Sequence, residues 1–208
     1  MTTITAHAGA LNTEENTKES LQAALEFIGR DIVEVDLRFH AGKPVLSHHA
    51  PAGKDAFSLE DCFALAQPYE ARFNLDLKEA RGNIDAVREL IARYGMAGRA
   101  FFTGLRSAGH IRAVRGCGIP WYLNVYLPQW LPFAPTIMAL RAKALGAAGL
   151  NMPHQCCGES VMRAARKHGL QVSVWTVDDP AAMARMLKLG VDNITTRHPD
   201  VLKKLMGD

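Results

Sequence analysis

Short β-branched and apolar runs alternate with helical patterns from one end of this chain to the other, and nothing else in it restricts the fold so much. Alternation of this kind signals parallel α/β construction, because parallel strands need a crossover and a helix makes one compactly. Strands are expected near residues 3–7, 32–38, 72–78, 99–104, 121–127, 149–152, 171–177 and 192–196. Helical segments separate them: Thr17 to Ile28, Asn83 to Tyr94, Ser107 to Val114, Thr136 to Leu145, Glu159 to His168 and Ala181 to Leu189. In the first of these, Leu21, Ala24, Leu25 and Ile28 repeat at helical spacing, with Asn16 as the expected cap. Gly95, Gly169 and Gly190 mark left-handed turns into the following strands. Eight such units close a TIM (β/α)8 barrel. An open doubly wound sheet would carry a glycine-rich phosphate loop after its first strand, and His7-Ala8-Gly9-Ala10 is too poor in glycine for that.

One strand-like run breaks the alternation. Lys43 to His48 follows the second strand after a short glycine-containing turn, which leaves no room for a helix, so it must return as a β-hairpin. A turn centred near Ala41 sets Asp36 opposite Leu46 and Glu34 opposite His48, which carries His48 towards the carboxylates. A helix from Ser58 to Ala66 then completes the unit.

With 208 residues and 48% hydrophobic content, the chain buries one sizeable core, and one domain is expected over residues 1–208. Its net charge of +3 comes from scattered Lys and Arg. No dense basic block suggests a nucleic-acid surface, so the expected partner is a small anionic molecule. The opening residues lack the pattern of a secretory leader, which leads to an expectation of a cytoplasmic protein. The apolar stretch from Ile119 to Leu140 is interrupted by Pro120, Pro128, Pro132 and Pro135, so no membrane span is expected there. Cys62, Cys117, Cys156 and Cys157 lack the spacing of a zinc or redox site and are expected as free thiols.

The second strand places the chemistry. Val33-Glu34-Val35-Asp36-Leu37 alternates strictly, so Glu34 and Asp36 project to one face while the aliphatic residues pack under helices. Phe73-Asn74-Leu75-Asp76-Leu77-Lys78 repeats the pattern and turns Asp76 and Lys78 inward. A purely structural reading pairs the acids with Arg38 or Lys78. Three converging carboxylates instead suit a divalent cation, Mg2+ or Ca2+, better than zinc. His7 ends the first strand, at the rim where barrel enzymes hold their reactive groups, and His48 arrives by the hairpin. Two imidazoles flanking a metal-bound phosphodiester make a reasonable general acid and general base.

Together these residues resemble the glycerophosphodiester phosphodiesterase family. The family's opening His-Arg-Gly with Glu-Asn-Thr is similar to His7-Ala8-Gly9 with Glu15-Asn16-Thr17, and its Glu-x-Asp to Glu34-Val35-Asp36. Its strand ending in His-Asp is similar to Pro44-Val45-Leu46-Ser47-His48-His49, and its Glu-x-Lys to Asp76-Leu77-Lys78. Near the end, Trp175-Thr176-Val177 and Gly190-Val191-Asp192 with Pro199-Asp200 match two further segments. The resemblance implies a phosphoric diester hydrolase acting on a glycerophosphodiester. His7 and His48 would be its acid-base pair, and Glu34, Asp36 and Asp76 its metal ligands. Lys78 would neutralise phosphate charge, and Trp175 would wall the substrate pocket.

Three departures stand out. Ala8 replaces the arginine after the first histidine and removes a bidentate phosphate donor, so that either affinity for a terminal phosphate suffers or Arg38 reaches in instead. Asp76 is one methylene shorter than the usual Glu. His49 stands where an acid follows the second histidine, and His48 is preferred over it by position. The apolar loop Pro128-Gln129-Trp130-Leu131-Pro132-Phe133 leaves the fifth strand on the reactive rim, where it either packs on the barrel wall or makes an acyl-chain contact that would favour a lysophospholipid. The rival readings are a phospholipase D-like lyase that releases a cyclic phosphate, and a catalytically dead barrel that binds a phosphorylated metabolite.

Overall fold

The computed structural model describes residues 2–50, 55–126 and 133–207. The strands are β1 (Thr3–Ala6), β2 (Ile32–His40), β3 (Lys43–Leu46), β4 (Arg72–Leu77), β5 (Ala100–Leu105), β6 (Trp121–Asn124), β7 (Gly149–Pro153), β8 (Gln171–Trp175) and β9 (Asn193–Thr196). The helices are α1 (Lys18–Ile28), α2 (Leu59–Ala66), α3 (Ile84–Arg93), α4 (Ala108–Val114), α5 (Ala134–Leu145), α6 (Glu159–Lys167), α7 (Pro180–Leu189) and α8 (Pro199–Met206).

β1 pairs in parallel with both β9 and β2, which closes the sheet on itself. Eight parallel strands therefore form a TIM barrel, and β3 is the antiparallel appendage. β2 is long because it serves two purposes. Ile32 to Leu37 pairs with β4 inside the wall, while Leu37 to His40 stands above the rim and pairs with β3.

Two local expectations need correction. Thr17, not Asn16, caps α1, its side chain accepting from the Ser20 N–H. Asn16 is instead left-handed, at φ 61°, and its side chain turns to the site. The hairpin register is also shifted by one residue, with Leu37 opposite Leu46. The turn is centred between Ala41 and Gly42, both at positive φ as a two-residue hairpin loop requires. Ser47 N–H consequently donates to the Asp36 carbonyl at 2.9 Å.

The apolar core lies between strands and helices. Val33, Val35 and Leu37 on β2 and Phe73, Leu75 and Leu77 on β4 are buried there with Leu21, Leu25 and Ile28 of α1. Phe63 of α2 meets Phe73 edge to face, ring centres 5.4 Å apart, and truncating such a buried ring typically costs about 3–5 kcal/mol. The opposite faces of the strands are polar, and their side chains satisfy one another. Thr5 donates to Asn193 at 2.8 Å, Asn193 to Ser173 at 2.9 Å, Thr103 to Asn74 at 2.8 Å and Asn151 to Asn124 at 3.1 Å. A barrel interior built of hydrogen-bonded Asn, Thr and Ser fixes the orientation of whatever polar group stands above it.

All four cysteines are free. No helix among the described residues is long and apolar enough to cross a membrane.

Candidate active site

A cavity of about 220 Å³ opens at the C-terminal mouth of the barrel. His7, Glu34, His48, Asp76, Lys78 and Trp175 all line it, joined by Asn74, Thr103, Arg106, Asn124, Asn151 and Arg197. Asp36 lies just below, 1% exposed. The fold thus brings His7, Glu34, Asp36, His48, Asp76, Lys78 and Trp175 to one mouth of the barrel.

The parallel register of β2 and β4 sets Asp36 beside Asp76, with Glu34 one pleat below. One oxygen from each carboxylate falls within 4.8 Å of the others. Lys78 Nζ lies 2.7 Å from Asp36 Oδ1 and 2.5 Å from Asp76 Oδ2. Burial disfavours an ionised Asp36, but Lys78 and the Asn16 side chain outweigh it and hold its pKa below the usual range. Burial likewise works to discharge Lys78, and Asp76 and Asp36 reverse that and raise its pKa.

Glu34 is different. Buried at the base of the cluster, it meets no hydrogen-bond or ion-pair partner among the described residues. Burial, then Asp76 and Asp36, push its carboxyl well above the ordinary range. A carboxylate buried among like charges is stabilised in its ionised form by a nearby cation. A buried all-oxygen set, one member without a partner among the described residues, fits a hard divalent ion. Glu15, Asp36 and His48 form a second grouping of possible ligand atoms, but His48 is exposed and its nitrogen is a softer donor.

The two histidines are positioned differently. His7 follows β1, and its Nδ1 lies 2.6 Å from the Ala8 carbonyl. A carbonyl can only accept, so the Nδ1 proton is fixed and Nε2 is left as the basic nitrogen. Burial and then Arg197 depress the His7 pKa below its ordinary 6.5. His48 Nδ1 lies 3.1 Å from Asp36 Oδ2, so this imidazole is oriented by a carboxylate. His49 packs against His48 edge to face and does not line the cavity.

The hairpin explains the fate of Arg38. Its Nε and Nη2 donate to the His48 carbonyl at 3.3 and 3.0 Å, so it props up the returning arm and is not among the residues lining the cavity. The guanidinium groups at the mouth are Arg106, just past β5, and Arg197, just past β9. Of the structural pairings weighed for the acids, that with Lys78 exists and that with Arg38 does not.

Other site residues escaped the sequence reading. The single Thr103 hydroxyl proton, directed at Asn74, is shared with Asp76 Oδ1 at 3.2 Å, and Gly104 N–H donates to Asn124 at 3.0 Å. Gly104 sits at φ 81° where β5 loses its register against β6, and a Cβ there would stand 2.4 Å from Asp76 Oδ1. A glycine inside a strand was the available signal. Trp175 has its indole N–H buried without a partner among the described residues, and Tyr126 meets its ring edge to face at 6.0 Å. The loop of residues 127–132 lies outside the described residues, and Phe133 at its end is 73% exposed.

Residues 125–201 match the glycerophosphoryl diester phosphodiesterase family model. The matched stretch contains Trp175 and Arg197, whereas the acids and histidines precede it. Over that stretch the chain is similar to this family. A glycerophosphodiester phosphodiesterase of Arabidopsis thaliana is 40% identical over 63 residues, which make up 30% of this chain and 19% of that protein. One from Bacillus subtilis is 29% identical over 39% of this chain and 32% of its own length. The matches therefore span well under half of these curated relatives.

The fold agreement extends over the whole chain. An Oleispira antarctica phosphodiesterase, solved with its product sn-glycerol-3-phosphate, superposes with a TM-score of 0.84 at 17% identity, covering 100% of this chain and 98% of the other. A glycerophosphodiester phosphodiesterase of Agrobacterium tumefaciens gives 0.77 at 20% identity, with 100% of both chains covered.

Proposed function

We propose that this barrel is a divalent-cation-dependent phosphodiesterase that cleaves glycerophosphodiesters to glycerol phosphate and an alcohol. The observation that carries the reading is Glu34, a buried carboxylate with no partner among the described residues, grouped with Asp36 and Asp76 beneath two oriented histidines. Glu34, Asp36 and Asp76 would hold Mg2+ or Ca2+, and a cation there supplies Lewis-acid polarisation of a phosphoryl oxygen.

The chain's own groups do the rest. His7, its Nδ1 proton committed to the Ala8 carbonyl and its pKa depressed, offers Nε2 as general base to the attacking hydroxyl. His48, with Asp36 behind Nδ1, delivers a proton to the leaving alkoxide. Lys78 balances charge on the phosphoryl group, and Trp175 with Tyr126 walls the organic part of the substrate. The attacking hydroxyl is water if the reaction is hydrolysis, and a neighbouring glycerol hydroxyl if a cyclic phosphate forms first.

A direct test assays glycerophosphocholine and a lysophospholipid, with products followed by 31P NMR, after chelation and again with Mg2+ or Ca2+ restored. Cation-dependent release of glycerol phosphate is expected, with H7A and H48A folded but inactive. Undiminished turnover in both variants, or full activity in excess chelator, refutes the reading.

A further inference from the structure

Lys78 alone cannot manage an anionic substrate, because its ammonium is already committed to Asp36 and Asp76. Position 8, next to His7, carries only a buried methyl group. The structure offers another cation. β1 and β9 run in parallel register with Ala6 opposite Thr196, so the next residues, His7 and Arg197, leave adjacent strands at the same height. His7 N–H donates to the Thr196 carbonyl at 2.9 Å, and Leu11 N–H to the Arg197 carbonyl at 3.0 Å, which ties the position-8 loop to the arginine's own backbone.

Arg197 is held in place. Asp178 takes its backbone N–H at 2.8 Å and its Nη1 at 3.1 Å, while Glu15 Oε1 stands 3.5 Å from Nη2. Arginine has five N–H donors, so two anchors leave donors free, and the side chain remains 42% exposed at the cavity it lines. Arg106 lines the same mouth from β5, four strands away around the barrel, but it has no hydrogen-bond or ion-pair partner among the described residues. An unanchored side chain must be ordered when substrate binds, whereas an anchored one is already in position.

Resting on the phosphodiesterase reading, we propose that Arg197, preorganised by Asp178, is the guanidinium that grips the substrate's phosphoryl oxygens from the strand beside His7. Asp178 is then a positioning residue, touching the arginine and not the substrate.

The test compares wild type with R197A, R197K, D178N and R106A, reading KM and kcat for glycerophosphocholine and the Kd of inorganic phosphate by calorimetry. R197A is expected to weaken both KM and phosphate Kd by about tenfold or more, the scale of a lost charge-assisted hydrogen bond. R197K should recover part of this, D178N should show a smaller loss, and R106A less than R197A. Circular dichroism checks folding, and R197K carries the test if R197A does not fold.

Unchanged phosphate Kd and KM in a folded Arg197 variant overturns the proposal while leaving the phosphodiesterase reading intact. Phosphate binding that depends on Arg197 in a protein that cleaves no diester upholds the anion site and sinks that reading. A wild type that binds no phosphate overturns the proposal.

Discussion

Asn16 and Asp36 bind each other reciprocally: Asn16 Nδ2 donates to Asp36 Oδ2 at 2.8 Å, and the Asp36 N–H donates to Asn16 Oδ1 at 2.9 Å. The loop before α1 thereby locks the carboxylate that orients His48 and contacts Lys78. Asn16 also tolerates its left-handed φ of 61° better than most residues. N16A removes both bonds and that tolerance. A stability loss of about 1–3 kcal/mol is expected by denaturant titration, with a fall in activity of about 10–100-fold, as for other partners that orient a ligand.

Glu34 is expected to destabilise the cation-free protein, because it is buried beside two other carboxylates. E34Q keeps its shape and removes the charge. In chelator, E34Q should melt higher than wild type by the equivalent of about 1–3 kcal/mol, and Mg2+ or Ca2+ should then add little. A cation-induced rise in melting temperature as large as that of wild type would remove Glu34 from the ligand set.

The depressed pKa of His7 has a definite sign. Between that value and the ordinary 6.5, the folded chain binds fewer protons than the unfolded one, so stability rises with pH across the interval and is lost as pH falls below 6.5. Melting curves from about pH 7 to about pH 5 should fall more steeply for wild type than for H7Q. In R197A, an NMR titration of His7 should move upward, since a cation that opposes its protonation is gone.

Gly104 shapes the site by being small. G104A forces an L residue to φ 81° and sets a methyl 2.4 Å from Asp76 Oδ1 and from the Leu77 carbonyl. A stability loss of about 1–3 kcal/mol is expected, together with cation affinity weakened by about tenfold or more, read by calorimetry.

Much of this was written locally in the chain. Strict alternation over Val33 to Leu37 and Phe73 to Lys78 sorts acids from aliphatics by the two-residue period of a strand, whatever strand comes to lie alongside. Repeated strand-helix units forced the barrel, and the missing crossover before Lys43 forced the hairpin. Those signals are short-range, so a sequence carries them openly.

What only the tertiary structure decided depends on partners far apart in the chain. Arg38 and Arg197 are chemically equal as sequence. The shifted hairpin register turns Arg38 to the His48 carbonyl, while closure of β9 against β1 lifts Arg197 beside His7 across nearly the whole chain length. Asn16 reads as a helix cap until Thr17 takes that role and Asp36, on another strand, claims its side chain. Periodicity fixes which face a residue occupies, but register and barrel closure fix its height and its neighbours, and charge interactions at these short distances depend on both.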